Sequence, residues 1–201
     1  MTHARPPHLW LCLLLAAAGC AKEPPPSPDR PQPAVPNLAG MDVMVLPAQP
    51  GAGGVPAGFD ESLAAMLETH APTVSWILPP ELERSIARAP WLDIRPRALS
   101  VSLLRSQEAE RIGDPLYGDL RRLGALVDAR YAVIPWQVSY APAPDSIGGH
   151  GRVEVAGAII DTVGGRILWR GLVAGERGPA GDEVVLGTAV QAFARMVAPM
   201  R

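Results

Sequence analysis

The chain has 201 residues, 48% of them hydrophobic, with 18 Lys+Arg against 20 Asp+Glu and a net charge of −2. That balance holds no basic surplus, so a nucleic-acid binder is not expected. The only cysteines are Cys12 and Cys20, which excludes thiol catalysis, thiolate metal sites and a disulfide from everything that follows residue 20.

The first element is an export signal. Arg5, with His3 and His8, gives a positive start, and the apolar run Leu9 to Ala18 follows, closed by small residues. A bilayer-spanning helix needs about 20 apolar residues. This run is far shorter, so residues 1–19 direct export and are expected to be removed. The run ends in Ala17-Ala18-Gly19-Cys20, which resembles the lipobox of bacterial lipoproteins. The resemblance implies cleavage before Cys20 and acylation of its thiol with palmitate-type chains. It departs from the family at Ala17, where Leu is preferred. Ordinary cleavage after Ala18, leaving a free thiol on Cys20, is the alternative. Cys12 lies inside the apolar run and is a poor rival. One acyl chain holds a protein to a bilayer only reversibly, at about 10⁴ M⁻¹, whereas two or three fix it. Ala21, not Asp, follows Cys20, and the same resemblance then implies the outer membrane, with the domain in the periplasm or at the cell surface. Loss of residues 1–19 removes Arg5 alone among the charged side chains, which takes the net charge to −3.

Residues 20–38 form the lipidated cysteine and a tether. Seven prolines between positions 21 and 38 favour extended polyproline II, which at about 3.1 Å per residue reaches roughly 50 Å. A single α/β domain is expected over 39–201. Met41 to Pro47 reads as a buried strand, followed by a Gly/Pro loop from Gln49 to Gly58. Asp60 is placed to cap a helix reaching His70, with Leu63, Met66, Leu67 and His70 on one face. Thr73 to Leu78 is a short strand. Pro79-Pro80 opens a second helix with Leu82 and Ile86 inward. Residues 91–113 fit no single period, and Arg97 to Leu104 is a candidate short helix. Asp114-Pro115 starts the clearest one, with Leu116, Leu120, Leu123 and Val127 in an apolar stripe. Tyr131 to Tyr140, Gly151 to Thr162 and Arg166 to Glu176 are strands, the last two joined by Val163-Gly164-Gly165, a hairpin signal. Asp182 caps the final helix, with Leu186, Ala189, Val190, Phe193 and Val197 inward. The order predicts an α/β (α+β) fold: one mixed sheet of about five strands with helices packed on it, ending in a β-meander and then a helix.

The residues that carry chemistry are sparse. His70 closes a helix, where a histidine suits the macrodipole. His150 sits in a glycine-rich loop, and neither histidine has a ligand-spaced partner, so no metal site is expected. Asp145, Ser146 and His150 have the residue types of a hydrolytic triad, but three neighbours on one loop cannot hold its geometry. Gly51-Ala52-Gly53-Gly54 follows the first strand without the Lys-Ser/Thr of a phosphate loop. Glu81/Glu83, Glu108/Glu110 and Arg121-Arg122 read as solvated faces. Of the tryptophans after the signal (Trp76, Trp91, Trp136, Trp169), Trp76 and Trp169 read as core. Trp136 follows Pro135, and proline in a strand points to an edge; core is the favoured alternative. No catalytic residue and no cofactor is expected. Trp136, Tyr140 and His150 are the candidate partner surface, together with the loop from Ala141 to Gly151.

Three local patterns carry a wider resemblance across about residues 41–198. They are Leu46-Pro47 at the end of the first strand, Ala129-Arg130-Tyr131 where a helix leads into the strand Tyr131 to Tyr140, and the Asp161-to-Gly165 turn followed by Ile167-Leu168-Trp169. Together they resemble the envelope superfamily that includes the N-terminal domain of TolB, the curli-secretion lipoprotein CsgG and the penicillin-binding-protein activator LpoB. Ala48-Gln49-Pro50-Gly51 departs from it, since aromatic or polar residues usually follow the Leu-Pro pair. The resemblance implies a non-enzymatic binding or assembly module of the envelope, supporting peptidoglycan synthesis or export, with a protein partner or with itself. A periplasmic α/β hydrolase or nucleotide-binding enzyme, and a structural homo-oligomer subunit, are the alternatives. Fold alone does not decide among them.

Overall fold

The computed structural model describes residues 34–51, 54–106, 108–143 and 150–198. Contacts divide the chain into Met1–Pro31 and the compact unit Gln32–Arg201, and every described residue belongs to the second. The signal, Cys20 and most of the tether lie outside the described residues.

The elements are β1 (Asp42–Val45), α1 (Phe59–His70), β2 (Ser75–Ile77), α2 (Pro79–Ala87), α3 (Leu116–Val127), β3 (Tyr131–Pro142), β4 (Gly151–Asp161), β5 (Arg166–Gly178) and α4 (Glu183–Val197). They form a single five-stranded mixed sheet in the order β2-β1-β3-β4-β5. β1 is parallel to both β2 and β3, and β3, β4 and β5 are an antiparallel meander. This is the α+β architecture that the alternation of periods predicts, with the meander and closing helix at its end.

Each face of the sheet buries its own core. Val43, Val45, Val133, Val155, Ile159 and Trp169 point to the face covered by α1 and α4. Met44, Leu46, Ala132, Ile134, Ala158 and Ile160 point to the other, covered by α2, α3 and the segment between them. The period-2 alternation of strand side chains makes this division. α4 docks through Val185, Ala189, Val190, Phe193, Ala194 and Val197, spaced as one helical face requires. Its start is fixed by Asp182, whose carboxylate accepts the Val184 N–H at 2.7 Å. α3 buries Leu116, Leu120 and Leu123 and ends at Asp128, which takes the left-handed conformation at φ 54.

Three expectations need correction. Asp60 does not cap α1; Gly58 does, in the left-handed conformation at φ 75. Of residues 97–104 only the last three are helical, in one 3₁₀ turn that spans Ser102–Arg105. Gln49 opens the loop after β1 as expected, and its side chain is buried, with 2% exposure. Pro135 marks no edge: β3 is the middle strand, and the proline stands at a bulge where the register to β4 shifts between Pro135 and Gln137. A bulge tolerates the missing N–H as an edge does.

Candidate functional site

In a sheet with parallel strands, a ligand crevice is expected beyond their carboxyl ends. Here that place is filled by the chain's own side chains. The Asp60 carboxylate accepts the Ala48 N–H at 2.9 Å and meets the Arg97 guanidinium at 2.7 Å. Arg97 also meets Glu83 at 3.1 Å. The hydrogen bond to Asp60 raises the Arg97 pKa above its ordinary value, against an opposing effect of burial. Beneath this network, the Gln49 amide donates to the Pro47 and Pro96 carbonyls, at 2.8 Å each, and accepts the Leu99 N–H at 2.8 Å. Its three bonds bind the 96–99 segment to the end of β1 and engage both polar atoms of its side chain.

The turn between β4 and β5 is the second polar cluster. Asp161 accepts the Val163 and Gly164 N–H groups, at 3.1 and 3.4 Å, and pairs with Arg130 at 3.3 Å. Thr162 Oγ1 donates to the Ala129 and Arg130 carbonyls at 3.2 and 2.9 Å. Burial pushes the Asp161 pKa up, but the hydrogen bonds from Arg130, Val163 and Gly164 outweigh it, and the carboxyl is held below its usual value. A lowered carboxyl pKa stabilises the fold wherever the group is ionised in both states. That contribution is lost as pH falls from the unfolded-state value, about 3.9, through the folded one. Asp161→Asn is therefore expected to remove part of the acid-side loss of stability below roughly pH 4. Urea midpoints measured across that range check it, and an unchanged pH profile contradicts it.

The candidate partner residues do not form one surface. Trp136 packs against the core of the α2/α3 face and Tyr140 against that of the α1/α4 face. The Tyr140 hydroxyl donates to the Gly178 carbonyl at 2.8 Å. His150 is exposed at the start of β4, and its carbonyl accepts the Ala143 N–H at 3.0 Å. Asp145 and Ser146 lie outside the described residues, as do Ala52 and Gly53 of the glycine-rich loop. Glu81, Glu108, Glu110 and Arg121 are exposed, Arg122 pairs with Asp119 at 2.6 Å, and Glu83 is taken by Arg97. Trp169 is core, at 1% exposure, while Trp76 is half-buried with its Nε1–H on the Ala71 carbonyl at 3.1 Å.

Among the described residues, three buried polar atoms have no hydrogen-bond partner: His70 Nε2, Trp136 Nε1 and Arg170 Nη1. Arg170 keeps one bond, from Nη2 to the Ala109 carbonyl, and burial pushes its pKa down. A cavity of about 350 Å³ lies by the end of α1, walled by Leu38, His70, Pro72, Val74, Val197 and Ala198. Among the described residues no three His, Cys, Asp or Glu side chains converge as a metal ion requires, and no helix is long and apolar enough to cross a membrane. The sequence reading gave Gln49 and Arg97 no role and gave Asp60 that of a cap, because their actual roles depend on contacts distant in sequence.

No protein-family model matches the chain, and no curated protein matches it. Among solved structures, it is similar to the lipoprotein GNA1162 of Neisseria meningitidis, at 16% identity and a TM-score of 0.48, over 80% of this chain and 99% of that one. It is similar to a PelC dodecamer from Paraburkholderia phytofirmans at 17% identity and a TM-score of 0.41, over 83% and 94%. The hypothetical protein CT253 of Chlamydia trachomatis matches at 10% identity and a TM-score of 0.44, over 81% and 100%. At these identities and TM-scores, the likenesses assign no function.

Proposed function

We propose that this is a lipid-anchored protein of the bacterial outer envelope whose α/β domain is a non-enzymatic binding or assembly module. The observation that carries the reading is Ala17-Ala18-Gly19-Cys20 followed by a proline-rich tether. The commitment of the buried polar side chains to backbone supports it, since Gln49, Asp161 and Thr162 each hold a turn or a segment in place. Membership of the TolB/CsgG/LpoB-like superfamily belongs to the same reading, as does support of peptidoglycan synthesis or export.

In-cell crosslinking of the full chain, tagged after Arg201, followed by mass spectrometry, tests the function. Recovery of envelope proteins by the native chain, and their loss with Cys20→Ala, is the expected result. Equal recovery by Cys20→Ala removes the anchor from the account. Turnover of an ester or nucleotide by the purified chain replaces the module with an enzyme.

Self-association is a second reading, favoured by β5. This strand is an outer one, and on its outer side only Gly165–Ile167 are paired, to Glu110–Ile112, among the described residues. The stretch from Leu168 to Ala174, with the exposed Leu172, offers free backbone groups on that side, whereas the Glu176 N–H and the Gly178 carbonyl are held by Thr188 and Tyr140. Light scattering on the purified chain separates the two readings.

A further inference from the structure

The turn after α2 displays the most exposed large apolar side chain among the described residues. Ala89 and Leu92 are each 4% exposed and belong to the core of the α2/α3 face, whereas Trp91 between them is 77% exposed. The Leu92 N–H donates to the Ala89 carbonyl at 2.8 Å, which closes the turn. The indole is therefore held outward by a backbone anchored on both sides. A tryptophan joins a large apolar ring to one polar N–H, the combination found where one end of a side chain is dry and the other wet.

The segment that holds it is rich in arginine, following Glu81 and Glu83 on α2. Between positions 84 and 105 the chain carries Arg84, Arg88, Arg95, Arg97 and Arg105 against Asp93 alone, in a chain whose net charge is −2. Arg97 is neutralised by Asp60 and Glu83. Arg84 donates to the Pro80 carbonyl and Arg88 to the Ser85 hydroxyl, both at 3.2 Å, so each is steadied by a neutral oxygen and keeps its charge. Arg84, Arg88, Arg95 and Arg105 are exposed, and none makes an ion pair among the described residues. Arg84 and Arg88 also complement the dipole at the end of α2, but Arg95 lies outside any helix. α2 starts directly at the carboxyl end of β2 and packs beside β1.

We propose that Trp91 with Arg84, Arg88 and Arg95 forms a docking surface for an anionic lipid bilayer. The choice of partner rests on the lipid-anchor reading, which keeps a bilayer within reach of the domain; the docking chemistry does not need the lipid. Tryptophan settles at the headgroup layer of a membrane. Arginines near an anionic surface are drawn to it over about a Debye length. The tether would then set the reach of the domain, and this turn would set which side of it faces the lipid.

The test uses residues 21–201 without the acyl chains, which contain the whole compact unit Gln32–Arg201. Co-sedimentation is measured with mixed phosphatidylglycerol–phosphatidylcholine vesicles and with phosphatidylcholine alone, at low and high salt. Binding to the anionic vesicles, suppressed by salt, is expected. Arg88→Gln and Arg95→Gln should each weaken it about fivefold, and Trp91→Ala about tenfold. Arg195→Gln, an exposed arginine on α4, should leave it unchanged. These side chains are exposed, so unaltered melting temperatures are expected for all four variants. No preference for anionic vesicles, or variants that bind like the native chain, overturns the proposal. Binding to polyglutamate without binding to vesicles also overturns it, in favour of an acidic protein partner. Palmitate labelling of Cys20 is scored separately, so a failed anchor and a failed docking surface give different results.

Discussion

Replacing Trp169 with alanine is expected to destabilise the domain by about 3–5 kcal/mol, the range for truncating a fully buried aromatic. Trp169 is 1% exposed and is the largest of the fully buried side chains. Its ring lies 6.2 Å from that of Phe193 at an interplanar angle of 57°, an edge-tilted pairing of β5 with α4. The seat for both rings is a row without side-chain bulk: Gly157 on β4 pairs with Gly171 on β5, and a Cβ on either would run into Phe193 or Trp169 respectively. Alanine at 169 thus opens a cavity between sheet and helix that neighbouring glycines cannot fill. Small domains typically keep only about 5–15 kcal/mol of stability, so the loss threatens folding at physiological temperature. Equilibrium denaturation in urea measures it. A loss below about 1 kcal/mol would mean that the ring is not packed between β5 and α4.

The second large effect is at Gly175, where adding one methyl group is expected to cost about 2–3 kcal/mol. A Cβ there would stand 2.6 Å from the Ala189 backbone nitrogen and 2.9 Å from its Cα. Backbone cannot rotate away as a side chain can, so α4 would have to lift from β5. Lifting it would also strain the bond from the Glu176 N–H to Thr188 Oγ1, at 2.9 Å. Gly187 provides the contrast. It lies within α4, and a Cβ on it meets nothing within 4 Å. Gly187→Ala should therefore stabilise the helix by roughly 0.5–1 kcal/mol. Opposite signs for the two glycine-to-alanine changes, read as shifts in urea midpoint, are the expected outcome. A neutral Gly175→Ala would contradict the close approach of helix and strand.

The parts of the fold legible in the sequence are those set by local period. The apolar stripe of α3, the cap and face of α4, the Pro-Pro start of α2 and the glycine turn between β4 and β5 all announce themselves within a few residues. What lay beyond reach depends on distant partners. Nothing near Gln49 says that its amide will meet Leu99, 50 positions on, nor that Asp60 will meet Arg97, 37 positions on.

Trp136 and Tyr140 show how one irregularity misleads a pattern. Four positions apart in a regular strand, they would share a face. The bulge after Pro135 inserts one unpaired residue and reverses the parity, so they lie on opposite faces. The proline carried the signal, but edge and bulge are both places that accept it. Around Trp91 the signal was charge: a run of arginines with one aspartate is visible in the sequence, whereas the turn that holds the indole outward is not.

Anchoring by lipid on Cys20 is the central claim, and the intact mass of the chain purified from envelope membranes tests it most directly. The account predicts a chain that begins at Cys20 and carries the added mass of a diacylglyceryl group. A chain beginning at Gly19 or Cys20 with a free thiol, or one that keeps residues 1–19, would contradict it.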